Sequence, residues 1–321
     1  MSVSMKEQKF GVEDEMTGIT RKQAAETISV LFESIPRYVG GGYDAWEVTD
    51  REGKEWKLVS DASIHCERVT GKNASIAAGR EYAVELVSPP LTYDEIPKLQ
   101  EVIRALHAAG AKANSSCGLH VHIDAANHNR NSLKNLIGIM YQKEDMLFKA
   151  LQVNEARASR WCRKVREPML KKARRLNADE TQDLTRLENI WYEGDHGRRT
   201  GHYNDTRYYA LNLHSVFYRG TVEFRCFNAT LHAGRARAYV NLCLAMSAQA
   251  ITQRSTVMKR TESDNPAFTF RTWLLRLGLN GEEFKSTREH LLANLEGDRA
   301  WRYDKDTYEV NKNKKKNREG R

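Results

Sequence analysis

Apolar residues alternate or recur at helical spacing along most of the chain. Alternation predicts a hairpin at 46–59 and strands at 10–16 (FGVEDEM), 80–88, 118–124 (GLHVHID), 207–218 and 220–228. Helical spacing predicts helices after Thr20, after a Thr92/Glu95 capping box, and at about 131–151, 163–191, 234–253 and from 268. Strands therefore extend through most of the sequence.

This order predicts one α+β fold rather than separate domains, since we find no internal repeat and no Pro- or Ser-rich linker. We expect a disordered segment at 1–9, a main domain at 10–255, a helical extension at 256–310 and a basic disordered tail at 311–321. Within the main domain, the charged stretch at about 163–200 is expected to be a helical insert on the surface.

Composition places the chain among soluble globular proteins. Its 321 residues are 40% apolar and 29% charged, which is enough apolar material for a substantial core. No apolar run is long enough to span a membrane, and the start lacks a signal-like stretch, so we expect a cytoplasmic protein. Its five cysteines show no CxxC spacing and are expected to be reduced thiols.

The net charge of +9 raises the possibility of a nucleic-acid partner. The tail NKNKKKNREGR contributes +5 of that charge, which leaves +4 on the rest of the chain. Tails of this kind are more often solvated than specific binding sites. A second basic stretch at 157–175 has arginines at helical spacing, which fits either an acidic substrate or partner, or a solvated helix face.

Three predicted strands carry pairs of functional side chains two residues apart. Such residues share one face of a strand, about 6.6 Å apart. The pairs are Glu13 with Glu15, His120 with His122, and Glu223 with Arg225. The intervening residues, such as Leu119, Val121, Val222 and Phe224, are apolar and are expected to pack on helices.

Each pair alone also fits a solvated face, a hydrogen-bonded histidine pair or a cross-strand ion pair. The same placement on three strands favours a site, because burying uncompensated charge costs several kcal/mol per ion. Glu85, in YAVELVSPP, adds a carboxylate from a fourth strand. This oxygen-rich set suits Mg²⁺ or Mn²⁺ better than zinc.

These segments, in this order, resemble the ATP-dependent amidoligases related to glutamine synthetase and glutamate-cysteine ligase. The resemblance rests on FGVEDE, VSDASI, VELVSPPL, CGLHVHID, RYYALNL and GTVEFRCFNATL, and extends over about 10–255. It implies a curved antiparallel sheet whose concave face holds ATP and two or more Mg²⁺ ions, with helices on the other face. The insert at 163–200 and the chain beyond 255 fall outside it.

The resemblance also implies roles for individual residues. The metal ligands would be Glu13, Glu15, Glu85, Glu223 and His120. His120 and His122 would lie beside the metal and the ATP phosphates, and Asn212 would also face the nucleotide. Arg225 would contact the transferring phosphoryl group, Arg207 the phosphates or an acidic substrate, and Asp61 the substrate.

The implied reaction activates a carboxylate as an acyl phosphate and lets an amine displace phosphate. The metals and arginines would neutralise charge, and no GxxxxGK[ST] loop is present to cradle phosphates. The identity of the acid and of the amine is open: amino acids, a peptide, a cell-wall fragment and a protein side chain all fit. The oligomeric state is open as well. The loop GGGYDAW at 40–46 is expected to be a connection or a lid.

Other functions remain open at this stage. The same carboxylates and histidines could form a metal-dependent hydrolase, which would need no nucleotide. Nucleic-acid binding through the tail and the Arg-rich stretch would be strongly salt-dependent, but the acidic inner face argues against it as the main activity. A catalytically inactive relative that serves as a binding module is a further alternative.

Overall fold

The sequence folds around one large antiparallel sheet. In the computed structural model, which describes residues 3–71, 74–176, 183–303, 307–308 and 310, the strands are β1 (Phe10–Met16), β2 (Arg37–Gly40), β3 (Ala45–Thr49), β4 (Glu55–Val59), β5 (Glu67–Gly71), β6 (Ala74–Ala77), β7 (Val84–Val87), β8 (Gly118–Asp124), β9 (Leu211–Asn212) and β10 (Thr221–Asn228). Eight of them pair in the order β2-β3-β4-β7-β1-β8-β10-β9, and β5 and β6 form a separate hairpin. Every pairing of the large sheet is antiparallel.

Ten α-helices lie in the described part of the chain, and several of them pack on one face of the sheet. They are α1 (Arg21–Phe32), α2 (Ile96–Ala108), α3 (Arg130–Leu151), α4 (Glu155–Arg160), α5 (Glu167–Arg174), α6 (Thr185–Trp191), α7 (His214–Arg219), α8 (Ala233–Thr252), α9 (Pro266–Arg276) and α10 (Lys285–Leu292). Helix α1 packs on β3 and β4, α8 on β8, and α3 on β10. A mixed fold with a large antiparallel sheet and helices is thereby confirmed.

The apolar positions of the central strands face these helices, as their alternation predicts. Leu119, Val121 and Ile123 of β8 are fully buried, as are Val222 and Phe224 of β10. Each such side chain contributes about 1.5–3 kcal/mol of burial free energy. The opposite face of the same strands is therefore left for the polar side chains.

A β-bulge interrupts the alternation of β10. Phe224 pairs with Val121 and Phe227 pairs with Leu119, so β10 has one residue more than β8 over this span. Phe224, Cys226 and Phe227 are all buried. Bulges change the direction of neighbouring side chains and are frequent beside active sites. Here the extra residue lies between Phe224 and Phe227, in the part of β10 that carries Arg225.

Two predicted strands differ from the structure. Residues 80–88 were expected to be one strand, but Arg80–Tyr82 form a 3₁₀ helix and β7 begins at Val84. The expected strand at 207–218 is wrong, since only Leu211–Asn212 pair with β10 and His214–Arg219 form α7. The aromatic residues of this segment therefore do not alternate between the two faces of a strand.

The insert contributes apolar residues to the core of the protein. Its helices α5 and α6 bury Met169, Leu170, Leu187 and Trp191, which belong to the main core. These two helices therefore have one apolar side packed on the core and one charged side exposed. Their charged residues lie on the outer side, and the apolar stripe anchors the insert against α3.

The two ends of the chain differ in what the structure describes. Met5–Glu7, in the segment expected to be disordered, form a 3₁₀ helix, and buried Gln8 donates from Nε2 to the carbonyl oxygen of Leu244 at 2.9 Å. Helices α9 and α10 lie within the expected extension at 256–310. The expected basic tail at 311–321 lies outside the described residues.

No helix in the described part of the chain combines the length and apolar character needed to span a bilayer. The five cysteines are free thiols.

Candidate active site

Strand register brings the predicted site residues together. In the sheet, Glu13 lies opposite His120, and Glu223 lies opposite both His122 and Asn212. On the other side of β1, Glu15 lies opposite Glu85. Residues directly opposite on antiparallel strands are close enough for their side chains to interact. Four neighbouring strands and β9 therefore present one continuous polar surface.

His120 is the central side chain of this surface. Its Nδ1 lies 3.2 Å from Glu13 Oε2 and 3.5 Å from Glu223 Oε1, and its Nε2 lies 3.9 Å from Glu15 Oε1. Burial, and next the charge of Arg225, lower the pKa of His120 to about 4. The ring is then neutral at pH 7, and the Nδ1 contact favours the tautomer that donates from Nδ1 to Glu13. Its Nε2 lone pair is left for a ligand.

His122 lies on the same side of the strand in a different environment. Its Nδ1 lies 3.1 Å from Thr221 Oγ1, and its buried Nε2 has no hydrogen-bond partner among the described residues. The nearest carboxylate oxygens to Nε2 are Glu13 Oε1 at 3.5 Å and Glu223 Oε1 at 3.9 Å. Burial lowers the pKa of His122, but these two carboxylates raise it more, so the net shift is upward.

The histidines and arginines keep two of the carboxylates ionised. Burial raises the pKa of Glu13, but contacts with His122 and His120 outweigh burial and hold the pKa well below its usual range. For Glu223, Arg225 and the histidines likewise overcome burial and lower the pKa to about 2. Arg225 donates directly to Glu223 Oε1, and Asn212 Nδ2 donates to Glu223 Oε2 at 2.6 Å. Glu223 is thus held in a fixed orientation.

The other three acids of the cluster crowd one another. Carboxylate oxygens of Glu15, Glu85 and Asp61 lie within 4.8 Å of each other. Burial, followed by the Asp61 charge, raises the pKa of Glu15 to about 7, and burial with Glu13 and Glu15 raises the pKa of Glu85 well above its usual range. Glu85 has no hydrogen-bond or ion-pair partner within the described residues. If all three were ionised these carboxyl groups would repel one another, and either protonation or a bound cation relieves that repulsion.

The polar surface lines a cavity of about 770 Å³. Glu13, Glu15, Glu85, Glu223, His120, Arg225, Asn212, Asp61 and Arg207 all reach it. His122 is the one predicted site residue that lies outside the cavity lining. The structure therefore gathers all ten predicted residues in one place, with His122 beside the cavity.

Arg157 is a buried cation of the cavity that the three strand pairs do not reveal. It comes from α4, is 5% exposed, and its Nη1 lies 3.9 Å from Glu15 Oε2 and donates to the Ser116 carbonyl oxygen at 3.2 Å. Its guanidinium lies against Gly118, where an added Cβ would come within 1.9 Å of Nη2. The only sequence signal for Arg157 is its membership of the Arg-rich stretch.

Arg219 and Arg207 add charge nearer the mouth of the cavity. Arg219, at the end of α7, approaches Glu13 Oε1 at 3.3 Å and His202 Nδ1 at 3.1 Å. Arg207 Nη1 donates to the His202 carbonyl oxygen at 3.2 Å, and its guanidinium lies over the rings of Tyr203 and Tyr208. Arg219 is the last residue of the short helix α7, where no periodic pattern distinguishes it from other surface arginines.

The glycine-rich loop forms one edge of the cavity. Gly40 and Gly41 have φ angles of +69° and +72°, values that favour glycine. Tyr43, in the same loop, lines the cavity, and its hydroxyl group lies 2.9 Å from that of Tyr203 on the opposite edge. Whether the loop moves as a lid stays a prediction.

The donor set of this site fits divalent cations with hard oxygen ligands. Three overlapping groups offer ligand atoms within 4.8 Å of one another: Glu13/His122/Glu223, Glu13/Glu85/His120 and Glu15/Asp61/Glu85. Carboxylates dominate each group, and no cysteine takes part, which suits Mg²⁺ or Mn²⁺. Glu85, which has no hydrogen-bond or ion-pair partner within the described residues, is a side chain that such a cation would satisfy.

Comparison with known proteins identifies the family. The chain matches the model of the family described as "Putative amidoligase enzyme" over residues 6–247. This match covers most of the 321 residues, so the protein belongs to that family. The resemblance to amidoligases is confirmed at this level.

The other comparisons add less. No curated protein matches the sequence. Among solved structures, a bifunctional glutathione synthetase from Pasteurella multocida is similar with a TM-score of 0.39 and 11% identity, over 89% of this chain and 47% of that one. The chain thus spans about half the length of that protein, and similarity at this level does not assign a function.

Proposed function

We propose that the protein is an ATP-dependent carboxylate-amine ligase that forms an amide or peptide-like bond and releases ADP and phosphate. We further propose that its sheet is of the glutamine synthetase type. Membership of the amidoligase family and the geometry of the cavity support this proposal. Its substrates would be a carboxylic acid and an amine, such as amino acids, a peptide or a protein side chain.

The observation that carries the proposal is the crowding of Glu15, Glu85 and Asp61. Three carboxyl groups within 4.8 Å of each other, one of them without a partner in the described chain, are unfavourable when all are ionised, and a bound cation would stabilise the ionised forms. Proteins retain such arrangements where function needs them, and perturbed pKa values cluster at functional sites.

Mg²⁺ or Mn²⁺ would be held by the carboxylates of Glu13, Glu15, Glu85 and Glu223 together with His120. Bound there, the cations would neutralise the phosphate oxygens of ATP. Asn212 would keep Glu223 oriented through its 2.6 Å hydrogen bond. Neutral His120 offers a lone pair on Nε2 without adding charge.

The arginines would act on the substrates. Arg225, buried at 5% exposure, would stabilise the negative charge that is transferred with the γ-phosphoryl group, as pre-positioned cations do in phosphoryl-transfer enzymes. Arg207 and Arg219 lie nearer the mouth, where they would bind phosphate or substrate carboxylate oxygens. Asp61 reaches the same cavity and would contact either a cation or the amine.

The proposed reaction has two balanced steps. An oxygen of the substrate carboxylate attacks the γ-phosphorus, the bond to the β–γ bridging oxygen breaks, and ADP leaves. The amine nitrogen then attacks the acyl carbon of the acyl phosphate, loses a proton, and displaces inorganic phosphate. The protein supplies position and charge rather than a nucleophile, which agrees with the absence of a nucleophilic triad among the described cavity residues.

The test is nucleotide turnover. Purified protein is incubated with ATP and Mg²⁺, with and without pooled amino acids and a cell extract, and ADP and phosphate are measured. We expect ADP formation that depends on added acid and amine and falls about a thousandfold, equivalent to about 4 kcal/mol, in Glu223→Gln. Glu101→Gln, a surface change on α2, is the matched control and should leave turnover unchanged.

The same assay distinguishes the proposed ligase from the main alternative, a metal-dependent hydrolase. A metal-dependent hydrolase with this site would turn over amide or phosphoester substrates with metal alone. Turnover without nucleotide, or no nucleotide binding by a folded protein, would contradict the ligase.

A further inference from the structure

Four arginines form a strip beside the mouth of the cavity, on the insert side. We define the arginine strip as Arg160, Arg163, Arg166 and Arg207. Each guanidinium lies over an aromatic ring: Arg160 over Trp161 at 4.4 Å, Arg163 over Tyr209 at 4.8 Å, Arg166 over Tyr209 at 5.7 Å and Arg207 over Tyr203 at 5.5 Å. Cation–π attraction of this kind stabilises the position of a guanidinium group against a ring.

The strip is not neutralised by the protein. Within the described part of the chain, none of its four arginines forms an ion pair with a carboxylate. Arg163 and Arg207 donate only to backbone carbonyl oxygens, namely those of Tyr208, Asp205 and His202. By contrast, the neighbouring Lys164 pairs with Asp145 at 2.5 Å. Ordered arginines without anionic partners are prepared for an external anion.

The strip leads into the cavity rather than away from it. Trp161, Arg207 and Tyr208 belong to the cavity lining. Arg163 is joined to this wall through its hydrogen bond to the carbonyl oxygen of Tyr208 at 3.3 Å. Arg160 and Arg166 are exposed and extend the positive surface outward from the wall. An elongated anion on the strip would therefore have one end at the cavity.

We propose that the carboxylate-bearing substrate is an acidic polypeptide segment, which docks on the arginine strip and delivers one carboxyl group into the cavity. This proposal rests on the proposed ligase function. An extended polycarboxylate matches a row of arginines because each carboxylate takes two parallel N–H donors. It also supplies the reacting group of the proposed reaction.

Charge in the cavity favours this occupant over a nucleic acid. Beyond the strip, the substrate meets Glu13, Glu15, Glu85 and Asp61, which would repel a phosphate backbone that carries no group for the proposed reaction. A peptide needs to place only one carboxylate there. The exposed Asp205 and Glu155 lie beside the arginine strip and reduce the net positive charge of this surface. Neither of them forms an ion pair with an arginine of the strip.

The test measures binding without catalysis. A fluorescein-labelled hexaglutamate peptide is titrated with the full-length protein in the absence of ATP, and fluorescence anisotropy gives the dissociation constant. The test variant is Arg160→Gln/Arg166→Gln, since both side chains are exposed and donate no hydrogen bond within the described chain. The control variant, Arg104→Gln/Arg235→Gln, removes the same charge from the helices α2 and α8.

We expect the strip variant to bind hexaglutamate about tenfold more weakly than the wild type, and the control variant to bind within about twofold of it. Equal weakening in both variants would overturn the proposal, because it would show a general charge effect. Tighter strip-dependent binding of a single-stranded oligonucleotide than of hexaglutamate would overturn it in favour of a nucleic acid. Thermal unfolding of each variant confirms that the fold is intact.

ATP turnover distinguishes this proposal from the function on which it rests. If hexaglutamate binds through the strip but no combination of acid and amine gives ADP, the docking surface stands and the ligase assignment is contradicted. If small acids and amines give ADP equally well in the wild type and the strip variant, and hexaglutamate binding is unchanged, the ligase stands and the strip is contradicted.

Discussion

The two faces of β8 are both buried, but one is apolar and the other is polar. On the helix side, Leu119, Val121 and Ile123 have no solvent exposure, whereas on the cavity side His120 and His122 are 4% and 9% exposed. Burial stabilises the first face by the hydrophobic effect and penalises the second, where charges lose water. The helix face therefore holds the sheet together, and the cavity face is maintained against a cost. The candidate site lies on the cavity face, which burial destabilises.

The largest effect should come from the helix face. Phe224→Ala removes a fully buried side chain next to Glu223, and we expect a loss of about 3–5 kcal/mol in the free energy of unfolding. Urea denaturation measures this loss. A change below about 1 kcal/mol would mean that the helix face does not stabilise the sheet as described.

On the cavity face, His120→Ala should lower ligation about a hundredfold, equivalent to about 2.7 kcal/mol, because the Nε2 ligand and the hydrogen bond to Glu13 are lost. The free energy of unfolding should change by less than about 1 kcal/mol, since removing a buried polar ring also removes its desolvation cost. Full activity in the variant, or failure to fold, would break the comparison between the faces.

Glu144 provides a buried carboxyl group outside the cavity. Burial raises the pKa of Glu144 to about 7. The backbone N–H of Val165 donates to the carboxyl group and has the opposite, smaller effect, because it stabilises the ionised form. The unfolded carboxyl group ionises near pH 4.5, so this residue's contribution to stability is present at low pH and is lost as pH rises toward 7. The free energy of unfolding of the wild type should therefore decline between pH 5 and pH 7. We expect Glu144→Gln to remove about 2 kcal/mol of this decline. Parallel stability profiles of the two proteins would contradict this assignment.

The smallest effect tests how Arg157 is positioned. Gly118→Ala would place a Cβ against the Arg157 guanidinium and displace it from Glu15. We expect turnover to fall about tenfold, equivalent to about 1.4 kcal/mol, in Gly118→Ala and in Arg157→Gln alike. The double variant should be no worse than either single variant, because both remove the same interaction. Additive losses would show that Gly118 acts in another way.

The central strands and long helices are predictable because their patterns are strong. GLHVHID alternates throughout and forms β8, FGVEDEM and TVEFRCFN alternate over most of their length and form β1 and β10, and α3 and α8 have sustained helical spacing. Strands β2, β5 and β6 are mostly exposed on both faces, so no alternation marks them. At 207–218, aromatic residues mimic a strand although the chain turns into α7 after two paired residues.

The candidate site is predictable only in part, for a related reason. Spacing of two along a strand shows that Glu13 and Glu15 share a face, but it does not show that Glu15 lies opposite Glu85. Register between strands depends on distant parts of the chain. Arg157 and Arg219 reach the cavity from the short helices α4 and α7, which are too short for a sequence period to indicate which side chains point inward.

The most direct test of the account is cation binding by the cavity face. Isothermal titration calorimetry with Mn²⁺ at neutral pH would compare the wild type, Glu85→Gln and the surface control Glu101→Gln. We predict that the wild type and the control bind Mn²⁺ equally and that Glu85→Gln binds at least about tenfold more weakly, because the crowded carboxylates lose a ligand. Equal binding by all three proteins, or none by the wild type, would contradict the claim that divalent cations complete this face.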